Sequence, residues 1–199
     1  ICILSALAFG RHIYPDQVPT EGITHITLAD VAFARSAGMK IKLLGRAIRR
    51  EDDKVCAYVA PHLVPDESPL ANVEDVFNAI SVKGDAIGDV MFYGRGAGKL
   101  PTASAVVADV IDAAKHLKSR KYITWEDGGP DAVYSIDEVK NRWYVRVNAG
   151  SALPRGATPL ANTCGADCEA FLTEAPLSER ELRASLPAGA IQAAYRVLD

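Results

Sequence analysis

The residue types best placed to do chemistry stand together at Gly94, Arg95, Gly96, Ala97 and Gly98, followed by Lys99, Leu100, Pro101, Thr102 and Ser104. Residues 89–93 read as a strand, and Pro101 opens a long amphipathic pattern. The glycines therefore join a strand to a helix N-terminus. Amides left open by a first helical turn, together with the helix dipole, favour an anion or a polar ligand edge at such a place. The same glycines also fit a tight strand-to-helix connection and nothing more, and a short glycine motif does not decide between the two. Arg95 can pair with a phosphate or with a surface carboxylate. Thr102 and Ser104 can hydrogen-bond a ligand or satisfy backbone groups of the first turn.

The sequence holds no self-contained catalytic set. His12, His25, His62 and His116 are scattered, and there is no G-x-S-x-G element, P-loop or HExxH motif. The spacing at 94–98 departs from G-x-G-x-x-G, and its helix follows an antiparallel strand, so it is no Rossmann fingerprint. Cys164 and Cys168 lack the further His or Cys pair that zinc needs, and no metal is expected. Cys2 and Cys56 read as reduced core thiols, and free thiols suit the cytoplasm. Glu21, in Thr20-Glu21-Gly22-Ile23, is a carboxylate at a turn, where capping or a turn hydrogen bond is its ordinary role. His62 lies among Pro61, Pro65 and Pro69, which should keep its segment out of a sheet interior and make it an edge or turn residue.

The elements that would hold these groups follow from patterning. The 199 residues are 49% hydrophobic and 24% charged, with net charge −3, which suits one medium domain or two small ones. Basic residues cluster only at Arg49-Arg50 and over 115–121, so no nucleic-acid partner is expected. No apolar run reaches the roughly 18 residues of a membrane span. Residues 1–8 form an apolar helix closed by Gly10, with no start signal before Ile1, as in a chain cut inside a helix. A helix over 29–37 begins near Thr27 and closes at Gly38. Strands over 39–49 and 54–60 make a hairpin, and strands over 76–83 and 88–93 follow. The amphipathic helix over 101–117 presents Val106, Val107, Val110, Ile111, Ala114 and Leu117 to a core. Residues 118–140 read as a polar linker. Beyond it come strands over 142–148, 168–173 and 190–198, with a helix from Ser178, whose capping partner is Glu181.

The expected fold class is α+β. A mostly antiparallel sheet of about four strands is covered by helices, and a small α+β tail follows. The expected domains are 1–120, a linker over 121–141, and a tail over 142–199.

Several blocks extend the reading. They are ILSALAFG at 3–10, TEGI at 20–23, IKLLG at 41–45, LVP at 63–65, PLA at 69–71, VFNA at 76–79 and DVMFYGRGAGKLPTASAVVAD at 89–109. In this order they resemble the C-terminal half of the homoserine dehydrogenase family, densely over about 1–118. The tail is similar to the shortened, ACT-like regulatory end of some members, without a first helix after its first strand. The resemblance implies reversible NAD- or NADP-dependent reduction of aspartate semialdehyde to homoserine, in threonine, methionine and isoleucine biosynthesis. It implies a cytoplasmic homodimer acting on a small molecule, with neither nucleic acid nor membrane as partner. It places Gly94, Arg95, Gly96, Ala97 and Gly98 beside the nicotinamide end of the cofactor. The catalytic Lys and Asp, and the dinucleotide fingerprint, are expected before Ile1, so the 199 residues alone should be inactive. The alternative is a non-catalytic dimerisation and amino-acid effector-binding module.

Overall fold

The computed structural model describes residues 1–119 and 124–199. Part of the expected linker and of the basic stretch over 115–121 lies outside the described residues. The chain forms two compact units, one of residues 1–66 with 124–199 and the other of residues 67–123. This contact grouping differs from the boundaries expected from composition.

In the first unit, helix α1 (Cys2–Phe9) ends at Gly10 in the left-handed region, and a short strand β1 (Arg11–His12) follows. Helix α2 (Leu28–Ser36) starts at Thr27, whose hydroxyl accepts from the Asp30 amide while the Asp30 carboxylate accepts from the Thr27 amide. This reciprocal cap satisfies two donors that the helix start would otherwise orphan. Strands β2 (Met39–Arg49) and β3 (Val55–Pro65) then pair along their whole length, from Met39 opposite Pro65 to Arg49 opposite Val55.

The prolines do not end β3, contrary to the sequence expectation, and His62 is fully buried inside the strand. The reason lies in the parity of the backbone. The carbonyls of Val55, Val59 and Leu63 accept from Tyr134, Glu21 and Leu198, and the Val59 amide donates to Pro19. Odd-numbered residues thus turn their backbone groups away from β2, and the donors missing at Pro61 and Pro65 cost the β2 ladder nothing. That second edge of β3 is filled by short parallel pieces: Val133 beside Val55, Thr20 beside Val59, and Arg196 beside His62. Pro61 falls between the last two.

Residues 124–140 are not an open linker. Strand β6 (Glu126–Asp127) pairs with β1, and Tyr134 is buried with Cys56, Tyr58 and Ala60. Strands β7 (Trp143–Asn148), β8 (Ala157–Pro159), β9 (Cys168–Thr173) and β10 (Ile191–Val197), with helix α4 (Glu179–Ala184), complete this unit. No helix lies between β7 and β8. The sheet runs β2-β3-β10-β7-β9-β8, all antiparallel except β10 on β3. The α+β class with a mostly antiparallel sheet is therefore as expected. The sheet membership is corrected: the 39–65 hairpin pairs with the tail strands, not with the strands over 76–95.

Alternation along β7 sorts the core onto two faces. Tyr144 joins Phe33 of α2, Leu63 and Val197, while Trp143, Val145 and Val147 join Phe171 with Leu182 and Leu186. Helices α2 and α4 thus cover opposite faces.

The second unit contains the antiparallel ribbon β4 (Phe77–Gly84) and β5 (Gly88–Arg95), followed by α3 (Lys99–Lys115). The α3 stripe does not face a core. Val106, Val107, Val110 and Ile111 are between 49% and 61% exposed, and α3 has no buried residue. Among the described residues, no helix is long and apolar enough to cross a membrane.

Candidate functional site

Residues 94–98 link β5 to α3 in the second unit, as the sequence pattern requires. Their three glycines have different reasons to be glycine. Gly98, the N-cap of α3, has φ +115°, a backbone that side chains rarely adopt. A Cβ on Gly96 would land on the Asn78 side-chain amide, whereas one on Gly94 would meet nothing within 4 Å. Gly96 is thus crowded by the exposed Asn78 side chain, and Gly94 leaves open surface.

Gly96→Ala should cost about 1 kcal/mol or less, because the exposed Asn78 side chain must turn to another rotamer to make room. Faster amide exchange over 77–95 in Gly96→Ala, reversed by adding Asn78→Gly, would confirm the collision. Unchanged exchange would refute it.

The loop amides are not all open. Gly96 and Ala97 both donate to the Val76 carbonyl, at 3.1 and 3.5 Å. The amides of Gly98, Lys99 and Leu100 have no acceptor among the described residues, as befits a helix start without a side-chain cap. Pro101 has no amide hydrogen, and the Thr102 amide donates to the Gly98 carbonyl. Among the described residues Arg95 pairs with no carboxylate: its guanidinium lies 5.0 Å from the centre of the Phe77 ring, which stacks on Tyr93 at 4.9 Å. The geometry offers three donors beside an open glycine and a cation, which fits a carboxamide or phosphate edge of a cofactor.

The polar chemistry of the first unit lies elsewhere. Asp30, fully buried, accepts from Tyr144 (2.9 Å), Arg146 Nε (2.7 Å) and the Thr27 hydroxyl (2.7 Å). Burial alone would raise its carboxyl, but the bonds from Arg146, Thr27 and Tyr144 outweigh burial and hold it below the usual value. Glu21 caps nothing. Its Oε1 accepts from Arg196 at 2.7 Å. His62 Nδ1 donates to the Ala60 carbonyl at 2.9 Å, and its Nε2 faces the Tyr58 hydroxyl at 3.4 Å. Burial drives the His62 pKa down to about 4, opposed by the Ala60 bond and helped by Arg46 and Arg196. Burial also lifts the Cys56 thiol to about 11, which leaves it protonated and unreactive.

Sequence reasoning missed Arg146 and Arg196. The signal was there: each is a lone cation inside an apolar strand, and buried cations are almost always paired.

A family model described as "Homoserine dehydrogenase" matches residues 1–111. A homoserine dehydrogenase of Neisseria gonorrhoeae is 38% identical over 156 residues, which cover 75% of this chain and 36% of that protein. The solved structure of a homoserine dehydrogenase from Thiobacillus denitrificans superposes with a TM-score of 0.77 at 31% identity, over 100% of this chain and 51% of that one. One from S. aureus gives a TM-score of 0.72 at 31% identity, over 99% and 51%. The chain thus spans about a third to a half of the length of these relatives.

Proposed function

The chain belongs to the homoserine dehydrogenase family, and we propose that it supplies the substrate and dimerisation part of such an enzyme, with residues 142–199 as an ACT-like tail. The reaction is NAD- or NADP-dependent interconversion of aspartate semialdehyde and homoserine in the cytoplasm, on the route to threonine, methionine and isoleucine. The observation that carries this reading is the family match over 1–111, which includes the glycine loop and the open helix start behind it.

A bound nicotinamide would supply or accept the hydride. The chain's own part is to form one wall for that cofactor. Gly94 leaves space for close approach, and the amides of Gly98, Lys99 and Leu100 can donate to its polar edge. Gly96 and Ala97 shape the wall by binding Val76, and Arg95 adds positive charge at its rim. The proton-transferring Lys and Asp, and the dinucleotide fingerprint, are assigned to the part of the family that these 199 residues do not span. The test is oxidation of NADH or NADPH with aspartate semialdehyde. Joined to the dinucleotide-binding half of a relative, the chain should turn over, and alone it should not. Failure of the joined enzyme to turn over would overturn the assignment.

The dimer reading rests on a separate observation. A two-stranded ribbon is marginal by itself in water, yet Ile80, Val82, Met91 and Phe92 are all exposed on it. A second copy of the same ribbon would bury them. Light scattering at micromolar concentration should give twice the monomer mass, and a monomer mass would exclude the dimer.

A further inference from the structure

We propose that Arg196 is a positioning residue through which β10 and α4 set the direction of the Glu21 carboxylate. Three observations carry this. First, the guanidinium is buried while its partner is not: the side chains of Arg196 and Glu21 are 3% and 45% exposed. An ordinary surface pair has both members in water and holds neither one still. Here one oxygen of a half-exposed carboxylate is tied to a fixed, buried cation. Its other oxygen, Oε2, has no partner among the described residues and is left as an acceptor.

Second, Arg196 has little freedom of its own. Its guanidinium lies 4.9 Å from the centre of the Trp143 ring and 5.3 Å from that of Tyr58. Its Nη2 donates to Glu179, the first residue of α4, at 3.3 Å. Its Nε is buried and has no acceptor among the described residues. Buried donors are almost always satisfied, so this guanidinium is held by the rings and the two carboxylates at the expense of its third donor direction.

Third, the Glu21 backbone is pinned from the other side. The Glu21 amide donates to the Val59 carbonyl at 2.8 Å, and the Val59 amide donates to Pro19 at 2.9 Å. Main chain and side chain are thus fixed by different elements, β3 and β10. The geometry of a turn near residue 20 depends on a residue 175 positions along the chain. Because Glu21 and Glu179 share one guanidinium, a shift of α4 alters the hold on Glu21.

The test reads the Glu21 carboxyl carbon by NMR in the 199-residue chain, assigned by its loss in Glu21→Gln. No turnover is needed, so the outcome is independent of the reaction proposed above. In the unsubstituted chain, the resonance should stand apart from those of exposed glutamates. Arg196→Met should move it to the exposed position. Arg196→Lys should leave it between the two, since an ammonium holds the charge but not the two-carboxylate fork. Glu179→Gln, which touches only the helix side, should shift it as well and keeps the test valid if Arg196→Met fails to fold. The Glu21 amide should exchange about tenfold faster in Arg196→Met, as expected for losing a charge-assisted bond. A Glu21 resonance that already matches exposed glutamates, or that ignores both Arg196→Lys and Glu179→Gln, would overturn the proposal.

Discussion

Asp30→Ala should cost about 3–5 kcal/mol of unfolding free energy, the scale of removing one partner from a buried charged pair. The carboxylate is the common acceptor for a hydroxyl, a guanidinium and a helix start. Without it, Tyr144, which is 0% exposed, loses its acceptor, and Arg146, whose side chain is 12% exposed, is left with Gln192 in place of a carboxylate. The Thr27 cap loses its reciprocal half in the same step. Because the pair joins α2 to β7, both faces of the helix contact are affected. A domain with the usual stability of roughly 5–15 kcal/mol would keep little margin. Urea unfolding followed by circular dichroism measures the loss, and a change below about 1 kcal/mol would show that the cluster is not coupled in this way. Asp30→Ala with Arg146→Leu should recover part of the loss, since the stranded cation is then gone. The folded carboxyl lies below its ordinary value, so its stabilisation is present above about pH 4 and is lost as pH falls through the folded value.

His62 should make the fold acid-sensitive at a higher pH. Its ring is fully buried and neutral, with Nδ1 committed to Ala60 and with Arg46 and Arg196 as its cationic neighbours. The folded value of about 4 lies below the ordinary 6.5. The unfolded chain therefore takes up the proton first as pH falls, and stability is lost between pH 6.5 and 4. Linkage puts this loss at about 2 kcal/mol by pH 5 and about 3 kcal/mol by pH 4. The window lies above that of Asp30, so the two separate in a pH series. Urea midpoints at pH 7 and pH 5 test it against His62→Gln, whose stability should be nearly flat over that interval. An unsubstituted chain that is equally flat would show that the ring is not the acid-sensitive group.

Local chemistry was legible in the sequence, and remote pairing was not. Thr27 and Gly38 marked the limits of α2, and Ser178 with Glu181 marked the start of α4, because caps are contacts between near neighbours. The hairpin of 39–49 with 54–60 was legible because its turn joins strands adjacent in sequence, but the continuation of β3 to Pro65 was not. That β10 lies beside β3 was not, since nothing local to Arg196 names His62 as its neighbour. Proline at 61 was read as a strand breaker because parity relative to the filled edge is a property of the assembled sheet. The stripe on α3 shows the limit of periodicity: it identifies the face that seeks burial, not what covers it. At the glycine loop, the strand–loop–helix context was legible. The capture of the Gly96 and Ala97 amides by Val76 was not, and it moves the open donors along to residues 98–100.

The patched edge of β3 has a kinetic consequence. The β2–β3 hairpin closes a five-residue turn and can form early, but three loops of very different length must close before its other edge is covered. Until residues 191–197 have been synthesised and inserted, an apolar strand buried almost throughout in the finished fold shows unpaired backbone to solvent. Folding of this unit is therefore a race between late insertion and association with another nascent edge. Chaperone demand and recovery on refolding should depend on how long that gap stays open.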